Sequence, residues 1–260
     1  MTIDTILFDL DNTLALYDEP HFYAQYLPLV AQRFADVLPG DDFQARLVNA
    51  VRGLRRNDGR QDNRSLFLEV FGAGLALPVE KIWVRFLKFY REDFGRIDIA
   101  VRPPAGLTGV MTWLQQRRLR AAVATNPIFP EFVQRRRLGW VGLADFPFAL
   151  ISHIDNMSHV KPQPGYFVEV CRALEARPER CVMVGNDARN DMAAAAVGLH
   201  TYRCTDAEHL GMRCMIMPER AFPGAQPACA APEFEGPLSG LPDVLDRLGR
   251  GGTDAQRRAR

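Results

Sequence analysis

The stretch Ile6-Leu7-Phe8-Asp9-Leu10-Asp11-Asn12-Thr13-Leu14 decides how this chain is read. Its unbroken apolar run predicts a fully buried strand over residues 3–9. Two carboxylates then stand two residues apart at the strand's C-terminal end. In extended backbone, residues i and i+2 point the same way, so both carboxylates face one ligand if that geometry persists. Unpaired buried carboxylates are costly, and open α/β sheets build their sites just beyond the carboxyl ends of strands. The pair suits a divalent cation bound through oxygen. It equally suits a division of labour between nucleophile and general acid/base. The plainer alternative is a loop start capped by Asp and Asn.

Outward from this strand the pattern changes twice. Residues 20–95 read as helical. Pro20 suits a first helical turn, and Phe22, Tyr26, Leu29, Val30, Phe34 and Val37 recur at helical spacing. Further helices are predicted over 42–54, over 65–75 and from Pro78 onward, with residues 55–60 (RRNDGR) as a loop. The last of these helices carries Ile82, Trp83, Phe86, Leu87, Tyr90 and Phe94 on one face, read as bundle core. After Arg102-Pro103-Pro104, helices over 106–118, 130–138, 164–174 and 189–197 alternate with strands over 120–125, 148–151, 181–184 and 200–202. That alternation predicts an α/β fold with a parallel sheet covered by helices on both faces. The N-terminal strand joins the sheet, and the helical block is an insertion. The domain reading is a discontinuous core over 1–16 and 101–250, with the insertion over 17–100. Residues 205–237 read as an irregular excursion with short strands around 213–217. Residues 241–248 read as a closing helix and 251–260 as an unordered tail. The run Arg135-Arg136-Arg137 is read as a solvated helix face.

The 260 residues carry 32 basic and 31 acidic side chains, a net charge of +1. That balance argues against a dedicated nucleic-acid or anionic-membrane binder. No basic segment precedes the first apolar run, and no apolar stretch is long enough to span a bilayer. A cytoplasmic protein, monomer or homodimer, is the expectation. The five cysteines form no CxxC. Cys204, His209, Cys214 and Cys229, with His200 nearby, match no familiar zinc spacing and are read as scattered thiols.

Three further polar clusters sit at the ends of later strands: Thr125-Asn126, Lys161-Pro162, and Gly185-Asn186-Asp187 with Asp191. Each alone is weak, since Thr and Asp often cap helices. Together and in order they fit phosphoryl transfer, which needs a nucleophile, a metal to neutralise charge, and donors for the phosphoryl oxygens. Asp9 suits the nucleophile and Asp11 the acid that protonates the leaving oxygen and then activates water. Asp187 joins Asp9 around a hard cation, Mg²⁺, chosen over Asn186 because Asn186 has no charge to offer. Thr125 and Lys161, with Asn126, hold the phosphoryl oxygens.

With these four motifs in order over residues 3–203, the sequence resembles the haloacid dehalogenase-like hydrolases. The resemblance implies a Rossmann-like sheet, with the main-chain carbonyl of Asp11 as a metal ligand alongside the Asp9 and Asp187 carboxylates. It implies that Asp191 supports the metal's surroundings or Lys161. It also implies that the insertion is a helical cap, which favours small soluble substrates. Tyr17 and Asp18 are candidates to reach the site from the linker into that cap. Arg55, Arg56 and Arg60 are read as exposed loop arginines rather than a second anion site. The expected function is Mg²⁺-dependent hydrolysis of a small phosphorylated metabolite through an aspartyl-phosphate. The alternatives are a phosphomutase of the same fold and a non-catalytic phosphometabolite-binding protein. A dehalogenase usually lacks the second aspartate, so Asp11 argues against one.

Overall fold

The computed structural model describes residues 2–210 and 231–258. Five parallel strands form one sheet in the order β2-β1-β3-β4-β5. They are β1 (Thr5–Phe8), β2 (Arg120–Val123), β3 (Cys181–Gly185), β4 (His200–Cys204) and β5 (Phe234–Gly236). The chain passes from β1 to β2 on one side, then crosses to β3 on the other. The strand order therefore reverses at β1, where such sheets open a crevice beyond their carboxyl ends. Phe8 pairs with Val123 and with Val184, so the three strands end level. Asp9, Thr125 and Asn186 follow within two residues of that common edge.

Alternation along the strands fills two separate cores. Ile6, Phe8, Ala121, Val123, Val182 and Val184 pack on one face with α5 (Leu107–Gln116) and the start of α8 (Leu241–Arg258). Leu7, Ala122, Cys181 and Met183 pack on the other with α7 (Pro164–Ala173). Both faces are thus buried, as the apolar strands required.

Between β1 and β2 lie α1 (Glu19–Gln32), α2 (Gly40–Leu54), α3 (Asn63–Gly72) and α4 (Val79–Glu92). Asp18 caps α1 by accepting a hydrogen bond from the His21 N–H at 3.1 Å, and Pro20 sits in its first turn. Phe34, Phe43, Phe67, Phe71 and Phe86 meet edge to face or tilted in the middle of the block. The aromatic face of α4 is core, as expected, with Phe89 added to it. The two linkers into the block pair antiparallel through Leu16 and Arg102, at 2.8 and 3.0 Å.

Three elements differ from expectation. The strand over 148–151 is reduced to a single parallel bridge, Val123 with Ile151. The helix over 189–197 is a 3₁₀ turn over Met192–Val197 that ends at Gly198, whose φ of 91° suits glycine. The helix α8 continues through Arg258, into the stretch read as an unordered tail. The strands expected around 213–217, and Cys214 and Cys229 of the Cys/His group, lie outside the described residues. His200 pairs instead with Glu233 at 2.7 Å.

Candidate active site

Asp9 leaves β1 with its N–H still bonded to the Val184 carbonyl at 2.8 Å, so the sheet itself fixes it. The loop that follows folds back tightly. The Leu10 carbonyl accepts the N–H groups of Thr13, Leu14 and Ala15. Asn12 takes a φ of 55°, a conformation Asn tolerates. The Asp11 carbonyl receives no main-chain N–H among the described residues.

Lys161 binds the two carboxylates that matter most. Its Nζ donates to Asp9 Oδ1 at 2.8 Å and to Asp191 Oδ1 at 2.6 Å. Lys161 and Asp191 are each 1 % exposed. Burial alone lowers the Lys161 pKa, but Asp191 and Asp9 overcome it and hold the ammonium charged. Burial pushes the Asp9 carboxyl up, and Lys161 opposes the rise. The Lys161 N–H donates to Asn126 Oδ1 at 3.0 Å, so Asn126 positions the lysine's backbone. The Thr125 carbonyl accepts from Ser152 Oγ at 2.7 Å and Tyr166 Oη at 2.8 Å, which fixes the turn carrying its side chain. Gly185 is required by close approach, since a Cβ there would collide with the Asp191 carboxylate.

Asp187 stands differently from Asp9. Its carboxylate accepts from the N–H groups of Arg189 and Asn190 and from Asn190 Nδ2, so it caps its own turn. It is Asn186 that reaches the first loop, its Oδ1 accepting from Thr13 Oγ1 at 3.2 Å. Among the described residues no three His, Cys, Asp or Glu side chains converge as a metal cluster. The oxygens that do gather here are the Asp9 carboxylate, the Asp11 carbonyl and the side chains of the 186–187 turn. An all-oxygen set of that kind suits a hard cation.

Asp11 is turned away from Lys161. Its Oδ1 accepts from the Tyr17 hydroxyl and from Arg137 Nη2. Tyr17 thus reaches the site, whereas Asp18 is an exposed helix cap. Arg137 corrects the sequence reading. Arg135 and Arg136 are exposed, but Arg137 is 1 % exposed on the inner face of α6 (Glu131–Gly139) with Val133, Gln134 and Leu138. The signal was present in the spacing, because Arg137 lies four residues from Val133. Near the loop, Asn12 Nδ2 donates to Glu19 Oε1 at 3.0 Å. Arg60 stays exposed and pairs with Asp58.

Comparison with known proteins places this geometry. A family model described as haloacid dehalogenase-like hydrolase matches residues 3–198. An N-acetylmuramic acid 6-phosphate phosphatase of Pseudomonas aeruginosa is 29% identical over 204 residues, 77% of this chain and 81% of that protein. A phosphoglycolate phosphatase of Neisseria meningitidis is 26% identical over 198 residues, 74% of this chain and 76% of that protein. Among solved structures, a 2-haloacid dehalogenase from Pseudomonas syringae superposes with a TM-score of 0.59 at 20% identity, covering 95% of this chain and 100% of that one. The chain belongs to the haloacid dehalogenase-like hydrolases.

Proposed function

We propose that the protein is a Mg²⁺-dependent phosphomonoester hydrolase acting on a small phosphorylated metabolite. The observation that carries this reading is the buried Asp9–Lys161–Asp191 chain at the strand crossover, with Asp11 two residues on in a separate environment. Two carboxylates in different surroundings can take different roles. An Asp9 carboxylate oxygen attacks phosphorus, and the bond from phosphorus to the leaving oxygen breaks. Asp11 gives that oxygen its proton. Asp11 then takes a proton from water, whose oxygen attacks the aspartyl-phosphate, releasing inorganic phosphate and restoring Asp9. Lys161 offsets the carboxylates around Asp9 and, with Thr125, meets the phosphoryl oxygens. Mg²⁺, held by the Asp9 carboxylate, the Asp11 carbonyl and Asp187, would neutralise phosphoryl charge. Asp191 fixes Lys161.

Phosphatases among the relatives support a phosphate ester as substrate. The helical block over 17–100 serves in this reading as a cap that limits substrates to small molecules. Among the described residues no helix is long and apolar enough to cross a membrane. Cys171, Cys181 and Cys204 are free, buried thiols, which agrees with a cytoplasmic setting.

The test is phosphate release from p-nitrophenyl phosphate and a panel of phosphometabolites, with Mg²⁺ or EDTA, beside Asp9→Asn. Turnover that needs Mg²⁺ and is lost in a folded Asp9→Asn is the expected result. Near-normal activity in that variant would overturn the mechanism.

A further inference from the structure

Arg137 is a fully buried charge beside the group assigned to the leaving oxygen. Its Nη1 donates to Gln134 Oε1 at 2.9 Å, and its Nη2 reaches Asp11 and, at 2.8 Å, the Tyr17 hydroxyl. The rings of Phe129, Trp140 and Phe22 stand 5.0, 5.8 and 6.0 Å from the guanidinium carbon. Two buried donors in this cluster lack an acceptor, Arg137 Nε and Gln134 Nε2. The Gln134 amide is not simply reversed, because turning it would set its NH₂ against Arg137 Nη1. Orphaned buried donors weigh against a fold. Finding two side by side, on a charge next to the reacting groups, points to an acceptor that arrives from outside.

The geometry of the guanidinium says what kind. Nε and Nη2 form the edge that a carboxylate bridges with both oxygens. Asp11 engages only Nη2, and its presence shows that a carboxylate fits against this edge. The surrounding rings favour a flat, two-oxygen group over a tetrahedral one. The neighbouring cavity lined by Tyr26, Tyr90 and Phe129 has room for only about 10 Å³, roughly one water. The ligand must therefore be compact.

We propose that Arg137, with Gln134 beside it, recognises a carboxylate on the leaving group, so that the substrate is the phosphate ester of a small hydroxycarboxylic acid. This rests on the reading of Asp11 as the leaving-side acid. The phosphorus then lies at Asp9, and the rest of the substrate extends past Asp11 to Arg137. The aromatic rings exclude water there, which strengthens a guanidinium–carboxylate pair.

The test uses the native protein first. Phosphonoacetate and 3-phosphonopropionate, each beside its neutral amide, compete against p-nitrophenyl phosphate hydrolysis. At least one acid should inhibit about ten- to a hundredfold more tightly than its own amide. That preference should fall to near unity in Arg137→Gln, survive in part in Arg137→Lys, and shrink a few-fold in Gln134→Leu. The acid-to-amide ratio is not moved by a general loss of stability, so it separates recognition from a structural ion pair. If Arg137→Gln does not fold, the lysine and Gln134 variants decide. Equal inhibition by acid and amide in an enzyme that turns over p-nitrophenyl phosphate would overturn this inference alone. Absence of both turnover and phosphonate binding would overturn the phosphatase reading, and this inference with it.

Discussion

Lys161 carries one charge between two buried carboxylates, and that arrangement sets what its removal does. In Lys161→Met, Asp9 and Asp191 would face each other without a cation. Breaking a buried pair in this way costs about 3–5 kcal/mol, so denaturant unfolding should shift by that amount and turnover should vanish. A variant as stable as the native protein would show that the carboxylates had found other partners. Asp11→Asn should behave differently, with loss of turnover greatest for poor leaving groups and smallest for p-nitrophenyl phosphate. Glu19 gives a pH dependence of its own. Its carboxyl turns inward onto Asn12, and burial, then Asp11 and Asp9, raise its pKa from 4.5 to about 8. The unfolded chain ionises Glu19 near 4.5 while the folded one keeps the proton, so stability falls as pH climbs from about 4.5 to about 8. In EDTA, Glu19→Gln should therefore lose less Tm over that range than the native protein, and equal losses would refute the assignment. Asp9, Lys161 and Asp191 were legible in the sequence because acids and a lysine at strand ends have few idle uses. Arg137 was not, because three consecutive arginines resemble a solvated face, and only the packing of Val133 and Leu138 turns the third one inward.

The strands were legible as elements because each reads as a short apolar run ending in a polar residue, and their two-faced burial follows from that run. Their register follows from nothing local. It is the level pairing of Phe8 with Val123 and Val184 that sets Asp9 among the other strand ends. The segment near 148–151 misled because its Phe146 and Phe148 side chains pack on each other beside the sheet, leaving one bridge to β2. The helix expected over 189–197 misled through its alanine run, which favours helix in isolation. Asp187 instead ties up the N–H groups of Arg189 and Asn190, and only the 3₁₀ turn remains. In the helical block, Phe86 is 1 % exposed and touches Phe34, Phe43, Phe67, Phe71 and Trp83. Phe86→Ala should cost about 3–5 kcal/mol in urea unfolding. Val84, on the same helix and 56% exposed, should change stability by less than about 0.5 kcal/mol when cut to Ala. Similar effects at both positions would contradict the assigned inner face of α4.

The helical block and the sheet meet over the site, and their contacts describe a closed form. One apolar cluster runs from Phe8 and Val184 through Phe22, Phe94 and Phe129 into the block. At its far side the loop after α2 is fastened to the loop before α7. Asn63 Nδ2 donates to the His159 carbonyl at 3.0 Å, Asn57 Nδ2 to Asn63 Oδ1 at 3.0 Å, and Gln163 Nε2 to the Arg55 and Asn57 carbonyls. At the near side the only crossing is the Leu16–Arg102 pair, a two-residue hinge. A substrate that must reach buried Asp9 needs the far side to open while the near side holds. Asn63 is fully buried, and Asn63→Ala removes the fastening at a cost of about 1–3 kcal/mol. Hydrogen exchange should then quicken together at 57–63 and at 157–163, with β1 and β3 unchanged. Faster exchange confined to the first of these segments would mean that the block does not open as a unit. If it does open as a unit, the gap is bounded by the hinge, and phosphopeptides should not be hydrolysed even where small phosphate esters are.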